Sequence, residues 1–241
     1  MRLSLLLVFA VAFLATAPLV SADGPLPGPM LQNEQESYSM GYEIGLSFRN
    51  GGLEADYAKL MQGMRDAVEG KKPRLGLEEM KKQVAGLKKR AREFELRKLQ
   101  EQIVRNAEEA EKFLSANRNK AGIKTTESGL QYKILKDGDG NAPTLEDRVS
   151  VNYRGTFTDG KEFDSSYARG EPQTVQTDGV IKGWTEALQM MKAGSKWQIY
   201  VPPHLAYGRG GLGQKIPPNT VLVFELELLS IEKEEKGGEN K

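Results

Sequence analysis

The sequence predicts an α+β protein: a carboxy-terminal antiparallel sheet wrapped around one short helix, preceded by a region built of helices alone. Three observations predict it. Between residues 34 and 116 apolar side chains recur every three or four positions, the period of an amphipathic helix. Beyond residue 130 they alternate, as Leu130, Tyr132, Ile134, then Val149, Val151, Tyr153, then Trp197, Ile199, Val201, the period of a strand. Asn117 to Gly122 breaks the helical pattern where the composition changes.

The elements follow in order. Arg2, the apolar run Leu5 to Leu19 and the small residues Val20-Ser21-Ala22 have the layout of a secretory signal over residues 1–22. A membrane anchor is the other reading, but the run is short for a span and no basic stop follows it. Asp23 to Met30, with three prolines and two glycines, reads as a leader. Glu34 to Arg49 is a helix ended by Asn50-Gly51-Gly52, with Gly41 and Gly45 four apart on one face. Glu54 to Val68 is a second helix that gathers Tyr57, Leu60, Met61, Met64 and Val68 on one side. Two helices of this length have too little core to stand alone. Their apolar faces must meet either the rest of the chain or a second copy of it.

From Leu77 to Ala116 there is no proline, only Gly86, and dense alternating charge. Pairs such as Glu78–Lys82 and Glu93–Arg97 support a solvated helix. At 1.5 Å per residue it spans about 60 Å, a spacer arm that is polar because little covers it. In the domain beyond, Asp159-Gly160 is a hairpin turn. Val180-Ile181 ends a strand, Thr185 to Met191 forms the short helix, and Val221 to Ile231 is a long strand central to the sheet. The expected division is 1–22 signal, 23–76 helical region, 77–116 spacer helix, 117–233 sheet domain and 234–241 charged tail.

Composition excludes several kinds of chemistry. With 34 basic and 33 acidic residues the formal net charge is +1, which argues against nucleic acid as a partner. There is no cysteine and one histidine, His204, so a thiol nucleophile and the usual Cys/His zinc sites are ruled out. A Ser-His-Asp triad would have to use His204, and no G-x-S-x-G turn accompanies it. His204 is read as a surface loop residue. Gly208 to Gly213 matches G-x-G-x-x-G, but Ile216-Pro217-Pro218 follows instead of a helix, so it is read as a glycine-rich loop. Asp137-Gly138-Asp139-Gly140 lacks the later ligands of a calcium loop and is read as a β-turn. Neither a metal nor a cofactor is expected.

What remains is an aromatic and apolar set from separate strands and loops: Tyr153, Phe163, Val180, Ile181, Trp184, Tyr207, Ile216 and Phe224, with the carboxylate of Asp164 beside Phe163. Such a set suits a concave apolar pocket with few polar groups. Trp184 taken alone is a core residue or a pocket floor.

The stretches Val151-Asn152-Tyr153-Arg154-Gly155, Gly160-Lys161-Glu162-Phe163-Asp164-Ser165-Ser166, Val180-Ile181-Lys182-Gly183-Trp184, Ala206-Tyr207-Gly208, Ile216-Pro217-Pro218-Asn219-Thr220 and Leu222-Val223-Phe224-Glu225 resemble the FKBP-type peptidyl-prolyl cis-trans isomerases. With its exported start, two short helices and long helix, the chain resembles the macrophage infectivity potentiator subgroup. The resemblance implies a five- or six-stranded antiparallel sheet around a short helix, with the amino-terminal helices as a dimerisation region pairing into a V-shaped homodimer. It implies catalytic roles for Tyr153, Phe163, Asp164, Ile181, Trp184, Tyr207 and Phe224, and substrate binding by Val180, Val175, Ile216 and Leu212. Val175 stands where the family commonly has an aromatic residue, Gln173 is polar, and the loop from Arg209 to Lys215 is glycine-rich and basic. These departures bear on substrate preference and macrolide affinity.

The implied partners are proline-containing polypeptides, a second copy of the chain and macrolide inhibitors of the FK506 or rapamycin kind, with no cofactor. The implied location is the periplasm, the outer membrane or outside the cell. The implied reaction breaks no bond. Twisting a peptide bond costs about 18–20 kcal/mol in lost resonance, and an X-Pro bond turns over unaided in tens to hundreds of seconds. A dry pocket removes the advantage water gives the planar amide. On this reading Trp184, Phe163, Tyr153, Val180 and Phe224 hold the proline ring, while the Ile181 N–H and Tyr207 hydroxyl bind substrate carbonyls. Asp164 polarises or orients the twisting amide, directly or through Tyr153. The alternative is a dimeric chaperone or host-interaction protein that uses the pocket mainly for binding.

Overall fold

The computed structural model describes residues 33–232; the expected signal, the leader and the charged tail lie outside the described residues. Two compact units divide between Lys98 and Leu99.

The first unit opens with α1, Glu34–Asn50, capped by Asn33, whose side-chain oxygen accepts from the Glu36 N–H at 2.8 Å. Glu34 and Glu36 in the first turn suit the positive end of the helix dipole. Helix α2, Tyr57–Val68, begins three residues later than its pattern predicts because Asp56 caps it, accepting from the Lys59 N–H at 3.0 Å. Helix α3 runs Leu77–Asn117. Gly52, at φ 61°, leaves α1 in the left-handed region, and a Cβ there would fall on the Phe94 ring of α3. No residue of α1 or α2 is buried, and Tyr38, Tyr42, Tyr57, Met61 and Val68 are all exposed.

The second unit holds a seven-stranded sheet: β1 Lys124–Thr125, β2 Gln131–Lys136, β3 Arg148–Thr156, β4 Glu162–Ser165, β5 Gln173–Gln176, β6 Lys196–Val201 and β7 Leu222–Glu232. The order is β1-β2-β6-β7-β3-β4, and every pairing is antiparallel. β5 pairs with the start of β3 and β4 with its end. The very short β1 accounts for one strand beyond the family expectation. β7 is central, as its length and apolarity predict.

Alternation decides what the sheet buries. Val149, Val151 and Tyr153 of β3, Trp197, Ile199 and Val201 of β6, and Leu222, Phe224, Leu226 and Leu228 of β7 all enter the core. They close on α5, Lys182–Met190, through Trp184, Ala187 and Leu188. Leu188, Ile199 and Leu226 are fully buried, each worth about 1.5–3 kcal/mol of transfer free energy. Gly183 sets how closely α5 lies on the sheet, since a Cβ there would overlap Val201. A short helix α4, Ser166–Arg169, follows β4.

Three local expectations change. Val180-Ile181 does not end a strand: β5 stops at Gln176, and both the Thr177 N–H and its hydroxyl donate to the Asp147 carbonyl, turning the chain off the sheet. α5 begins at Lys182 rather than Thr185, because the Ile181 carbonyl already accepts from Trp184 and Thr185. Residues 137–139 form no regular element and 140 a bend, rather than a β-turn. Gly138 lies against the backbone of Lys192, Ala193 and Ser195, and the Gly140 N–H donates to the Ala193 carbonyl at 3.1 Å.

The last turns of α3 are covered, where the sequence predicts a bare arm. Asn117 is fully buried and donates to Gln131 Oε1 at 2.9 Å, and Gln131 Nε2 donates to the Leu114 carbonyl at 2.8 Å. Phe113 meets Tyr200 with ring centroids 6.1 Å apart. Among the described residues no helix is long and apolar enough to cross a membrane.

Candidate functional site

Four rings from four elements meet at one end of the core. Trp184 of α5 stands edge-on to Tyr153 of β3 at 4.9 Å and 81°, and to Phe224 of β7 at 5.2 Å and 83°. Phe163 of β4 meets Phe224 at 5.6 Å and 86°. Edge-to-face contact matches the positive rim of one ring to the negative face of the next. Gly155 makes room for this packing: a Cβ there would come within 2.8 Å of Phe163 and 2.9 Å of Phe224. Phe157 extends the cluster, 5.1 Å from Phe163. The Trp184 Nε1 donor is buried with no hydrogen-bond partner among the described residues.

Val180 and Ile181 are half-buried against this core. The Ile181 carbonyl is engaged by the first turn of α5, while its N–H meets no acceptor among the described residues. That leaves one backbone donor free beside the aromatic set.

A polar corner adjoins Tyr153. Its hydroxyl donates to Asp164 Oδ2 at 3.0 Å, and Arg169 donates through Nη2 to the Tyr153 oxygen and through Nη1 to Asp164 Oδ1, both at 2.8 Å. Gln173 Oε1 takes a further Arg169 bond at 2.8 Å and lies 3.2 Å from the Tyr153 oxygen. A phenol has one proton; the charged and nearer Asp164 receives it. Lys215 Nζ lies 3.6 Å from Asp164 Oδ2. Partial burial pushes the Asp164 carboxyl up, but the bonds from Tyr153 and Arg169, with the charges of Lys215 and Arg169, outweigh it and hold the group below the usual carboxylate range. Burial raises the Tyr153 phenol, with Arg169 opposing and the Asp164 charge assisting. The corner opens on a cavity of about 520 Å³ lined by Tyr153, Asp164, Arg169, Gln173 and neighbours. It is polar, unlike the apolar pocket the residue set predicts.

The remaining expected residues lie further out. Ile216 is buried in the core cluster, and Val175 of β5 packs against that cluster half-buried, paired with Val149. Leu212 is exposed and bridges Ile216 by two backbone bonds of 2.8 and 3.2 Å. Tyr207 is exposed, and its hydroxyl bonds to nothing among the described residues. His204 lies in the short helical turn Pro203–Leu205, exposed, with Nε2 2.9 Å from the Ser128 carbonyl. A second cavity of about 540 Å³, lined by residues including Ala107, Leu114, Pro202, His204 and Asn219, contains none of the expected site residues. No group of three or more metal-ligating side chains occurs among the described residues.

Arg169 and Lys215 are the groups that reading the sequence misses. Arg169 has a faint signal, one helical turn beyond Phe163-Asp164-Ser165-Ser166. Lys215 has none, since only folding brings its loop to β4.

Two family models match the chain: FKBP-type peptidyl-prolyl cis-trans isomerase over residues 140–229, and the domain amino terminal to FKBP-type peptidyl-prolyl isomerase over residues 33–134. The peptidyl-prolyl cis-trans isomerase Mip of Coxiella burnetii is 43% identical, aligned over 84% of this chain and 89% of its own. The FKBP-type 22 kDa peptidyl-prolyl cis-trans isomerase of Escherichia coli is 42% identical, over 82% and 94%. The outer membrane protein MIP of Legionella longbeachae is 41% identical, over 82% and 84%. The crystal structure of FkpA from Escherichia coli superposes with a TM-score of 0.70 at 36% identity, covering 83% of this chain and 98% of that one.

Proposed function

The chain belongs to the FKBP-type peptidyl-prolyl cis-trans isomerases, and from that premise we propose that the end of the core bounded by Tyr153, Phe163, Trp184 and Phe224 is where X-Pro bonds of exported polypeptides are turned. The observation that carries this reading is the edge-on placement of Trp184 against both Tyr153 and Phe224, with the free Ile181 N–H at the start of the same helix.

The proline ring rests on Trp184, walled by Tyr153, Phe163, Val180 and Phe224. The Ile181 N–H binds a substrate carbonyl, and the exposed Tyr207 hydroxyl binds another. Apolar walls strip water from the amide, which lowers the cost of twisting it out of its plane. Asp164 acts as an ionised group: the bonds from Tyr153 and Arg169 and the Lys215 charge hold its carboxyl below the usual carboxylate range, so it orients Tyr153 and faces the twisting amide electrostatically without transferring a proton. Val175, Ile216 and Leu212 contact the flanking residues of the substrate. Gln173, which ties the polar corner together, makes the Val175 side less apolar than an aromatic pair would and weakens macrolide binding.

The uncovered faces of α1 and α2 support a homodimer through these helices. At Gly41 and Gly45 a Cβ would meet nothing within 4 Å among the described residues beyond its own helix backbone, which leaves room for a second helix. Export through residues 1–22 accords with the outer membrane protein MIP, whose name states its location.

A protease-coupled proline-peptide assay on the full chain tests the site. Asp164→Ala combined with Tyr207→Phe is expected to lower kcat/KM by about tenfold or more, from the loss of a charge-assisted and a neutral hydrogen bond. Full activity in that double variant removes both roles.

A further inference from the structure

Two loops that rim the proposed pocket, Ala206–Gly208 and Ile216–Asn219, are one hydrogen-bonded piece. The Asn219 N–H donates to the Gly208 carbonyl at 2.8 Å, the Gly211 N–H to the Tyr207 carbonyl at 3.2 Å, and Leu212 and Ile216 bridge each other. Gly211 lies so close to the Ile216 carbonyl and Pro217 that a Cβ there would overlap both. The piece carries Tyr207 and Ile216 together.

Its weak point is Pro217-Pro218. Neither residue has a backbone N–H, so this stretch can be held by its carbonyls only. The Thr220 hydroxyl donates to the Pro217 carbonyl at 2.8 Å, a bond internal to the loop. The Pro218 carbonyl, 3.4 Å from that same hydroxyl, takes its short bond from outside the loop: Asn106 Nδ2, on α3, donates at 2.7 Å. One residue on, Asn219 Nδ2 donates at 3.0 Å to the Ile103 carbonyl, again on α3. Asn219 holds φ 51°, a left-handed conformation that asparagine tolerates better than most side chains. That turn aims its backbone N–H at Gly208 and its amide at the helix. Both asparagines are half-buried, and Ile103 and Asn106 are one turn apart on the covered part of α3.

We infer that Asn106 and Asn219 are positioning residues for the isomerase reaction, clamping the loop that carries Tyr207 and Ile216 to helix α3. The inference rests on the reading that Tyr207 and Ile216 border the substrate. The helix is then part of the enzyme, because it donates to the proline-rich rim through Asn106 and accepts from it, through the Ile103 carbonyl, the Asn219 amide. Small misplacements of substrate-binding groups are costly, up to 10²-fold for about 1 Å.

The experiment is a double-mutant cycle on the full chain in the protease-coupled assay, with folding followed by circular dichroism. Asn219→Gly keeps the left-handed backbone and deletes only the amide. Asn106→Asp keeps the shape but removes the donor. Each is expected to lower kcat/KM about threefold to tenfold. In a Tyr207→Phe background the same changes are expected to have less than half that effect, which a general loss of stability would not produce. Wild-type kinetics in both single variants, or full additivity with Tyr207→Phe, overturns the clamp. If Tyr207→Phe and Ile216→Ala themselves leave kcat/KM unchanged, the pocket reading fails instead, and the clamp falls with it. Should Asn219→Gly unfold, Asn106→Asp decides the matter alone.

Discussion

Tyr153 reaches Asp164 across the β3–β4 hairpin at 3.0 Å, and Arg169 holds both ends of the bond, donating to the phenol and to the carboxylate. The arrangement fixes an ionised carboxylate beside a ring that also packs on Trp184. It joins the aromatic cluster to the polar corner, and its pH behaviour is open to measurement.

Because the Asp164 carboxyl is held below its ordinary value, its contribution to stability is present above about pH 4 and is lost as pH falls through the lower folded value. Denaturant unfolding between pH 2 and 5 is expected to show a steeper loss of stability in the wild type than in Asp164→Asn. Between pH 5 and 8 activity is expected to show no step that Asp164→Asn removes. Such a step would mean that the carboxylate titrates in that range.

Arg169→Ala removes three of the bonds at this corner at once. The Asp164 carboxyl is expected to titrate higher by carbon-detected NMR, and kcat/KM to fall about threefold to tenfold, as for the loss of a charged hydrogen bond. An unmoved titration would show that Lys215 and Tyr153 suffice.

Gly183→Ala places a methyl on Val201 where α5 lies against the sheet. Helix propensity alone would favour the alanine by about 1 kcal/mol, so the sign is diagnostic. Overpacking is expected to win, with a net loss of about 1–3 kcal/mol in urea unfolding. A gain in stability would mean that α5 shifts without cost.

Gln131→Leu leaves the fully buried Asn117 amide without its acceptor and takes from the Leu114 carbonyl one of its two donors, the Arg118 N–H remaining. Stability of the carboxy-terminal unit is expected to drop by about 1–3 kcal/mol. Amide exchange is expected to quicken first in the last turns of α3. Unchanged exchange there would show that packing of Phe113 on Tyr200 is enough.

Gly41→Arg and Gly45→Arg put a long charged side chain on the open face of α1. Sedimentation is expected to give a dimer for the wild type and a monomer for the variants, with peptide kcat/KM retained. A wild-type monomer would leave the apolar faces of α1 and α2 needing another partner.

Much of this protein is legible in its residues. The change from a period near four to a period of two separates the helices from the sheet. The inward alternation of β3, β6 and β7 names the core, and Asp159-Gly160 names a hairpin. The aromatic residues that meet are also legible, since Tyr153, Phe163, Trp184 and Phe224 each stand in a short motif. These features are local, and local spacing carries them.

What spacing does not carry is contact between distant segments. Lys215 comes to Asp164, Asn106 to Pro218 and Asn117 to Gln131 only after the sheet has closed on α5 and α3 has docked beside it. Two glycines beside two aspartates suggest a turn at Gly138, yet no turn forms there, and the 192–195 backbone lies against it. The polarity of α3 suggests a bare arm, yet residues 103–117 are held by the sheet domain through four side-chain amide hydrogen bonds and one ring contact. Most elements, the family and the aromatic set follow from residue order, because periodicity and short motifs are properties of neighbouring residues. Which polar groups hold those elements in place is a matter of the folded contacts, because a hydrogen bond between residues a hundred positions apart leaves no periodic trace along the chain.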